Sequence, residues 1–202
     1  DKSLSKRDAV IHTMKLMNIT PGISNIVFVF GLLGPLHGII LDAGTRPPCL
    51  PYLHGPSQTL KTSLVKACTL IYNRSSPKDN IDNKRVSSTE IKLEECIDEI
   101  RDGNFLLDDL FVTEDKKLKK IYEGRVEAVI RNFGDYSERT TAHTSYRNNA
   151  QVIITAEYVI RSKTDVGRLF LIPVDKPINS EKLGECQKSP LALSTFYYYF
   201  IS

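Results

Sequence analysis

Gly55-Pro56-Ser57-Gln58-Thr59-Leu60-Lys61-Thr62 is the stretch that decides how this chain is read. It follows an apolar run, Cys49-Leu-Pro-Tyr-Leu53, and opens a helix-like stretch from Lys61 to Tyr72. A strand, a glycine-led turn and a helix N-terminus together form a cradle for phosphate. Backbone N–H groups and the positive end of the helix dipole point at the anion. The phosphate-loop pattern G-x-x-x-x-G-K-[ST] is met at every position but one. Leu60 stands where the pattern has glycine.

Each residue of the loop has an expected task. Gly55 permits the tight turn after the strand, and Lys61 places an ammonium near the β- and γ-phosphates. Thr62, followed by Ser63, offers a hydroxyl to Mg²⁺. Pro56, Ser57, Gln58, Thr59 and Leu60 form the cradle itself. Glycine at position 60 would bring backbone close to phosphate and tolerate positive φ. Leucine at positive φ costs on the order of 1 kcal/mol or more. The loop has therefore adjusted, or it holds phosphate weakly. A Ser/Thr-rich turn that merely caps a helix would give the same residues.

Downstream, Phe105-Leu106-Leu107-Asp108-Asp109 reads as an apolar strand ending in two carboxylates. Ligands of open parallel sheets bind beyond the carboxyl ends of the strands. There Asp108 would hold the water shell of Mg²⁺, which takes one or two protein carboxylates. Asp109 would orient or activate the attacking water. A solvated Asp-Asp turn after a core strand is the plainer alternative. The interval from Lys61 to Asp108 has room for a helix, an extra short strand near Val86 and a second helix.

A third station is Val152-Ile-Ile-Thr155-Ala-Glu157, an apolar strand ending in polar groups. Thr155 suits contact with the γ-phosphate and water, with Glu157 nearby. Arg168 opens the last strand, Leu169 to Val174. It could stabilise charge on a transferred phosphoryl group, in its own site or a neighbour's, or be a surface cation at a strand edge.

The rest of the chain fits around these stations. Leu4 to Met17 reads as a helix stopped by Asn18-Ile-Thr-Pro21-Gly22. Ile23 to Leu41 is nearly all apolar and has about the minimum length of a membrane span. Pro35 would break it, so a buried helix, a turn and a second apolar segment are expected instead. Ser88 or Thr89 caps a helix from Glu90 to Arg101, and Gly103 suits the left-handed position that ends it. Lys116 to Phe133 is a periodic amphipathic helix. Residues 134–149 read as a loop or hairpin, and the tail from about Asn179 as helical or irregular. Strands alternating with helices argue for an α/β fold with a parallel sheet.

Bulk properties exclude little. The 202 residues are 41% apolar and 25% charged, with net charge +3. This is ordinary for a globular domain, and the charge is too small to argue for nucleic acid. Cys49, Cys68, Cys96 and Cys186 are scattered without metal-binding spacing. Buried thiols in a reducing, cytoplasmic setting are expected. No signal peptide is visible at the polar start, and the apolar end, Phe196 to Ile201, suggests a fragment of a longer protein.

Several motifs together resemble the helicase portion of phage and plasmid primase–helicases, helicase-like ATPases of mobile genetic elements. They are the apolar pair in Ile23–Leu41, Tyr52-Leu-His-Gly-Pro-Ser57, Phe105-Leu-Leu-Asp-Asp109, Ile154-Thr-Ala-Glu157 and Gly167-Arg168-Leu-Phe-Leu-Ile-Pro173. The resemblance covers about residues 20–175. It implies a three-layer P-loop NTPase core of RecA/AAA type over 49–202, preceded by a helical segment over 1–48. ATP and Mg²⁺ would be cofactors, with Lys61, Thr62, Asp108, Asp109, Thr155 and Arg168 at the site. A ring homo-oligomer tracking single-stranded DNA, with no membrane partner, follows by the same analogy. In related motors a hairpin before the Thr155 strand enters the channel, which makes Arg139, Tyr146 and Arg147 candidates for nucleic-acid contact. Lys116-Lys117 and Lys119-Lys120 form a second basic cluster, expected as a solvated face. Two departures, Leu60 and Asp109 where glutamate is commoner, point to slow hydrolysis or none. A degenerate P-loop scaffold is the alternative to a motor. A small-molecule kinase fits less well, because of the long interval between the motifs.

Overall fold

A computed structural model describes residues 4–45, 49–69, 83–100, 102–135, 139–140, 145–146, 150–160, 162–189 and 191–201. Three helices come first: α1 (Lys6–Met17), α2 (Ile23–Leu33) and α3 (His37–Asp42). Then follow β1 (Leu50–His54), α4 (Lys61–Thr69), β2 (Asn83–Arg85) and α5 (Glu90–Glu99). After them come β3 (Gly103–Leu110), α6 (Lys116–Asp135), β4 (Arg139–Thr140) and β5 (Ser145–Tyr146). The chain continues through β6 (Ala150–Ala156), α7 (Lys163–Val166), β7 (Leu169–Pro173), α8 (Ser180–Gln187) and α9 (Leu191–Ile201).

Five strands form one parallel sheet in the order β2-β3-β6-β1-β7. The strand between β1 and β3 in space is β6, and β6 is buried along its whole length. A strand covered on both faces reads as a continuous apolar run, which is the character of Val152-Ile-Ile. The short strand expected at Val86 lies at Asn83–Arg85, on the sheet's edge. Val86 follows it, fully buried, and its N–H donates to the Asp108 carbonyl at 3.0 Å.

Helices cover both faces of the sheet. On one face Leu93, Cys96 and Ile97 of α5 and Val126, Val129, Ile130 and Phe133 of α6 pack on Tyr52, Phe105, Leu107, Val152 and Ile154. On the other, α2, α4, α8 and α9 bury Phe28, Leu64, Cys68, Leu183 and Tyr197 against Leu53, Leu106, Ile153 and Ile172. Leu16 of α1 and Ile19 belong to this second cluster, so α1 and α2 share the core with the strands. The fold is a three-layer α/β sandwich.

The apolar segment 23–41 is interrupted at Gly34–Leu36, on either side of Pro35. No helix among the described residues is long and apolar enough to cross a membrane. Its glycines serve packing. A Cβ on Gly31 would lie 2.8 Å from the Cys68 carbonyl oxygen, so the bare Cα lets α2 lie against α4. The cap expected at Ser88 or Thr89 forms at Thr89, whose hydroxyl accepts the Lys92 N–H at 3.4 Å, and Ser5 caps α1 by accepting the Asp8 N–H at 3.1 Å.

Two local expectations are corrected. Asp102, not Gly103, takes the left-handed conformation after α5, at φ 52°, and Gly103 is already in β3. The Asp102 carboxylate accepts the Gly38 N–H at 2.6 Å, a bond glycine could not make. Asp residues tolerate this region because a short polar side chain can bond locally. The acidic strand is also longer than Phe105–Leu107. It runs to Leu110 and takes both aspartates into the sheet, with a register shift against β6 between Leu107 and Leu110. The hairpin within 134–149 is present as β4 paired antiparallel with β5, Arg139 opposite Tyr146.

Candidate functional site: a phosphate loop over a hydroxyl–carboxylate cluster

Because the sheet is parallel, β1, β3 and β6 end on one edge, and the candidate residues gather there. Gly55 turns the chain out of β1 at φ 153°. A Cβ at this position would lie 2.2 Å from the Val174 carbonyl oxygen. The loop is sewn to both neighbouring strands: Gly55 N–H donates to Ala156 O at 3.2 Å, and Val174 N–H to His54 O at 2.8 Å. Thr59 closes the loop by donating its hydroxyl to Pro56 O at 2.9 Å and accepting Ile178 N–H on its carbonyl at 3.2 Å.

Leu60 adopts φ 64° and Gln58 φ 62°. Leu60 thus takes the left-handed conformation that glycine would take, at a cost of roughly 1–2 kcal/mol. Its half-buried side chain packs on the cluster containing Leu64 and Ile178, which offsets part of that cost. Its carbonyl accepts Leu64 N–H at 3.0 Å and starts α4.

Lys61 is buried, 8% exposed. Its ammonium donates to Gly55 O at 2.9 Å, Pro56 O at 2.7 Å and Thr59 Oγ1 at 3.0 Å. Burial lowers its pKa, and the negative charges of Glu157 and Asp108 oppose that shift. The next residue, Thr62, donates its hydroxyl to Asp108 Oδ1 at 2.8 Å. Thr155, at the end of β6, donates a short hydrogen bond to the same oxygen. Two strands, β3 and β6, and α4 therefore converge on one carboxylate. Asp109 follows at φ 77°, exposed, within the irregular end of β3.

These groups line a cleft of about 240 Å³ that extends from Ser57 through Ser63 to Asp108, Asp109, Thr155 and Glu157. Gly55 and Pro56 contribute to the loop through their carbonyls, which hold Lys61. Phe111, absent from the sequence-derived candidates, forms part of the wall and packs edge-on against Tyr122 of α6 at 5.8 Å. An aromatic just past the acidic pair was the available signal. A larger groove of about 510 Å³ lies between α5 and α6, away from this polar convergence. Among the described residues, no three His, Cys, Asp or Glu side chains are grouped to cage a metal. A hydroxyl and a carboxylate oxygen 2.8 Å apart beside a phosphate loop suit Mg²⁺, which keeps several waters and takes one or two carboxylates.

Arg168 is elsewhere. It precedes β7 and accepts Leu50 N–H on its carbonyl at 2.9 Å, at the N-terminal end of the sheet. Its guanidinium lies 3.5 Å from Asp165 Oδ1, and a Cβ on Gly134 would fall 2.4 Å from its Cδ. Arg168 is thus at the opposite end of the sheet from its own phosphate loop. For Arg139 and Tyr146 only the backbone pairing is described, and Arg147 lies outside the described residues.

No protein-family model and no curated protein matches the chain. Solved structures do. The SCCmec type IV Cch active helicase aligns with TM-score 0.53 and 14% identity over 90% of this chain and 34% of its own. The JCV helicase aligns with TM-score 0.56 and 15% identity over 96% of this chain and 53% of its own. The chain therefore spans about a third to half of the helicases it matches. At this identity the likeness is one of architecture, and the chain has the α/β fold of P-loop helicase domains.

Proposed function

We propose that this chain is an ATP-binding and ATP-hydrolysing domain of a helicase-like motor that acts on DNA in the replication or mobility of a genetic element. The observation that carries the reading is the convergence of Thr62 and Thr155 on Asp108, beneath a loop that holds Lys61. A Ser/Thr-rich turn that only capped a helix would need no buried lysine and no aligned carboxylate on a distant strand.

In this reading the loop from Gly55 to Ser63 cradles the polyphosphate. Lys61 exchanges its three loop acceptors for phosphate oxygens. Thr62 and Asp108 hold Mg²⁺, and Thr155 faces the γ-phosphate. When bound, Mg²⁺ would be held by Thr62 and Asp108 and would supply positive charge against the charge developing on the phosphates. Two carboxylates, Asp109 and Glu157, line the cleft and are available to the attacking water. Arg168, on the far end of the sheet, serves a neighbouring copy in a ring, where an arginine stabilises the charge of the phosphoryl group in transfer. Single-stranded DNA would follow the hairpin that carries Arg139, Tyr146 and Arg147.

One observation favours a second reading, a degenerate scaffold. Lys61 already has a full set of acceptors within the loop, and Leu60 is strained, so a ligand must displace three hydrogen bonds to enter.

Titration with a fluorescent ATP analogue and Mg²⁺ tests the proposal, with Lys61→Ala as control. Saturable binding that is lost in Lys61→Ala is expected. No binding at millimolar nucleotide leaves the scaffold reading.

A further inference from the structure

The cleft holds two carboxylates besides Asp108, and the fold treats them differently. Asp109 lies exposed at φ 77° in the irregular end of β3. Glu157 is the first residue beyond β6, the strand beside the phosphate-loop strand. Its backbone N–H donates to Leu110 O at 2.8 Å. Its Oε2 accepts the Val112 N–H, also at 2.8 Å. Both ends of this residue are thereby tied to the end of β3 and the segment that leaves it, and the carboxylate, held there through Oε2, lines the cleft.

A general base needs a fixed orientation, a spare lone pair and reach to the proton it takes. Asp108 lacks the spare capacity on Oδ1, which accepts both Thr62 and Thr155. Asp109 is one methylene shorter than glutamate and sits where the backbone is irregular. Glu157 has the orientation from Val112 and the extra methylene. Its carboxylate lines the same cleft as the loop, Asp108 and Thr155, and its charge acts on Lys61.

We infer that Glu157, and not Asp109, is the general base of ATP hydrolysis in this chain. The inference rests on the ATPase reading above. The water oxygen forms a bond to the γ-phosphorus. The bond from that phosphorus to the β–γ bridging oxygen breaks, and its electron pair leaves with ADP. The water proton passes to Glu157 Oε1 and from there to solvent. Sequence order hides this role, because the base stands after β6 instead of beside Asp108 in β3.

Glu157→Gln tests it, since glutamine keeps an acceptor for Val112 N–H while losing basicity. Fluorescent nucleotide titration and phosphate release are measured on the wild type, Glu157→Gln and Asp109→Asn, with melting temperature as a check on folding. Glu157→Gln is expected to bind nucleotide within about threefold of wild type and to release phosphate about a hundredfold or more slowly. ATP should remain uncleaved on the protein. Its residual rate should also lose the fall at acid pH that a carboxylate base gives the wild type. Asp109→Asn should slow release less than tenfold. If Glu157→Gln turns over like the wild type, or Asp109→Asn is the variant that stops, the inference is overturned while the ATPase reading stands. If the wild type itself neither binds nor hydrolyses ATP, the ATPase reading fails and takes this inference with it.

Discussion

At the C-terminal edge of the sheet, a half-exposed carboxylate, Asp108, is met by two neutral hydroxyls, those of Thr62 and Thr155. At the N-terminal edge a fully buried carboxylate, Asp165, is met by two guanidiniums. Arg131 Nε lies at 3.2 Å and Arg168 Nη1 at 3.5 Å. Neutral hydroxyl partners can be exchanged for metal-bound water without leaving a charge behind, whereas parting the guanidiniums from Asp165 would leave a buried charge uncompensated. One end of the sheet is built to trade partners, and the other to keep a cation in place. The distinction matters because Arg131 and Arg168 come from different elements, α6 and the start of β7. Asp165 is what holds them together, and the bare Cα of Gly134 gives Arg168 its shelf.

The largest effect should come from removing the exchangeable carboxylate. Asp108→Ala is expected to lower phosphate release about a hundredfold or more while the melting temperature stays within a few degrees. A collapse of the fold instead would make Asp108 a structural residue and erase the contrast. Gly55→Ala should come next. Its Cβ has no room beside Val174 O, so the loop must shift by a strained backbone rearrangement worth about 1–3 kcal/mol. Nucleotide affinity should drop tenfold or more, read by the same titration.

Asp165→Asn should act in the opposite sense. It leaves two partly exposed arginines without their shared counter-charge, with an expected stability loss of about 1–3 kcal/mol in urea unfolding. Nucleotide affinity of the isolated chain should be unchanged, because the phosphate loop is at the other end of the sheet. Leu60→Gly is a smaller change. Relief of left-handed strain is set against lost packing, so stability should move by less than about 1 kcal/mol, and affinity should rise several-fold. A fall in affinity would mean that the isobutyl group supports the loop.

The smallest effect is in pH, and it separates the two edges again. Burial, helped by the charge of Lys61 and opposed by Asp175, pushes His54 below its ordinary 6.5. The unfolded chain then binds more protons below about pH 6.5, so stability should decline as pH drops through that value and recover above it. His54→Asn should flatten this component in a series of melting curves. For Asp165, burial alone would raise the carboxyl. Hydrogen bonds from Arg131 and Ser162 and the charges of Arg131 and Arg168 outweigh it, and hold the group below the usual carboxylate range. Its contribution is present above about pH 4 and is lost only below that.

Much of the site was legible as local pattern. The loop from Gly55 to Ser63, the strand at Leu50–His54, the cap at Thr89 and the break around Pro35 all follow from φ preference, hydrogen-bonding side chains and apolar periodicity within a few residues. Misreadings arose where two distant segments set the conformation. Asp102 takes the left-handed position because Gly38 supplies a donor from α3. Asp109 enters the sheet because β3 slips its register against β6. The short helix α7 has too few residues to show a period, and it exists where Asp165 must reach Arg131.

By itself the sequence determined the α/β alternation, the glycine-led loop between β1 and α4 and the polar residues that end the apolar strands, because these depend on residue type and spacing along the chain. Only the tertiary structure decided that β6 separates β1 from β3, that Thr62 and Thr155 share Asp108, that Glu157 is anchored to Val112, and that Arg168 is on the far edge. Strand order and register are set by the packing of two helical layers on a single sheet. That packing joins residues far apart in the chain, which no local pattern encodes.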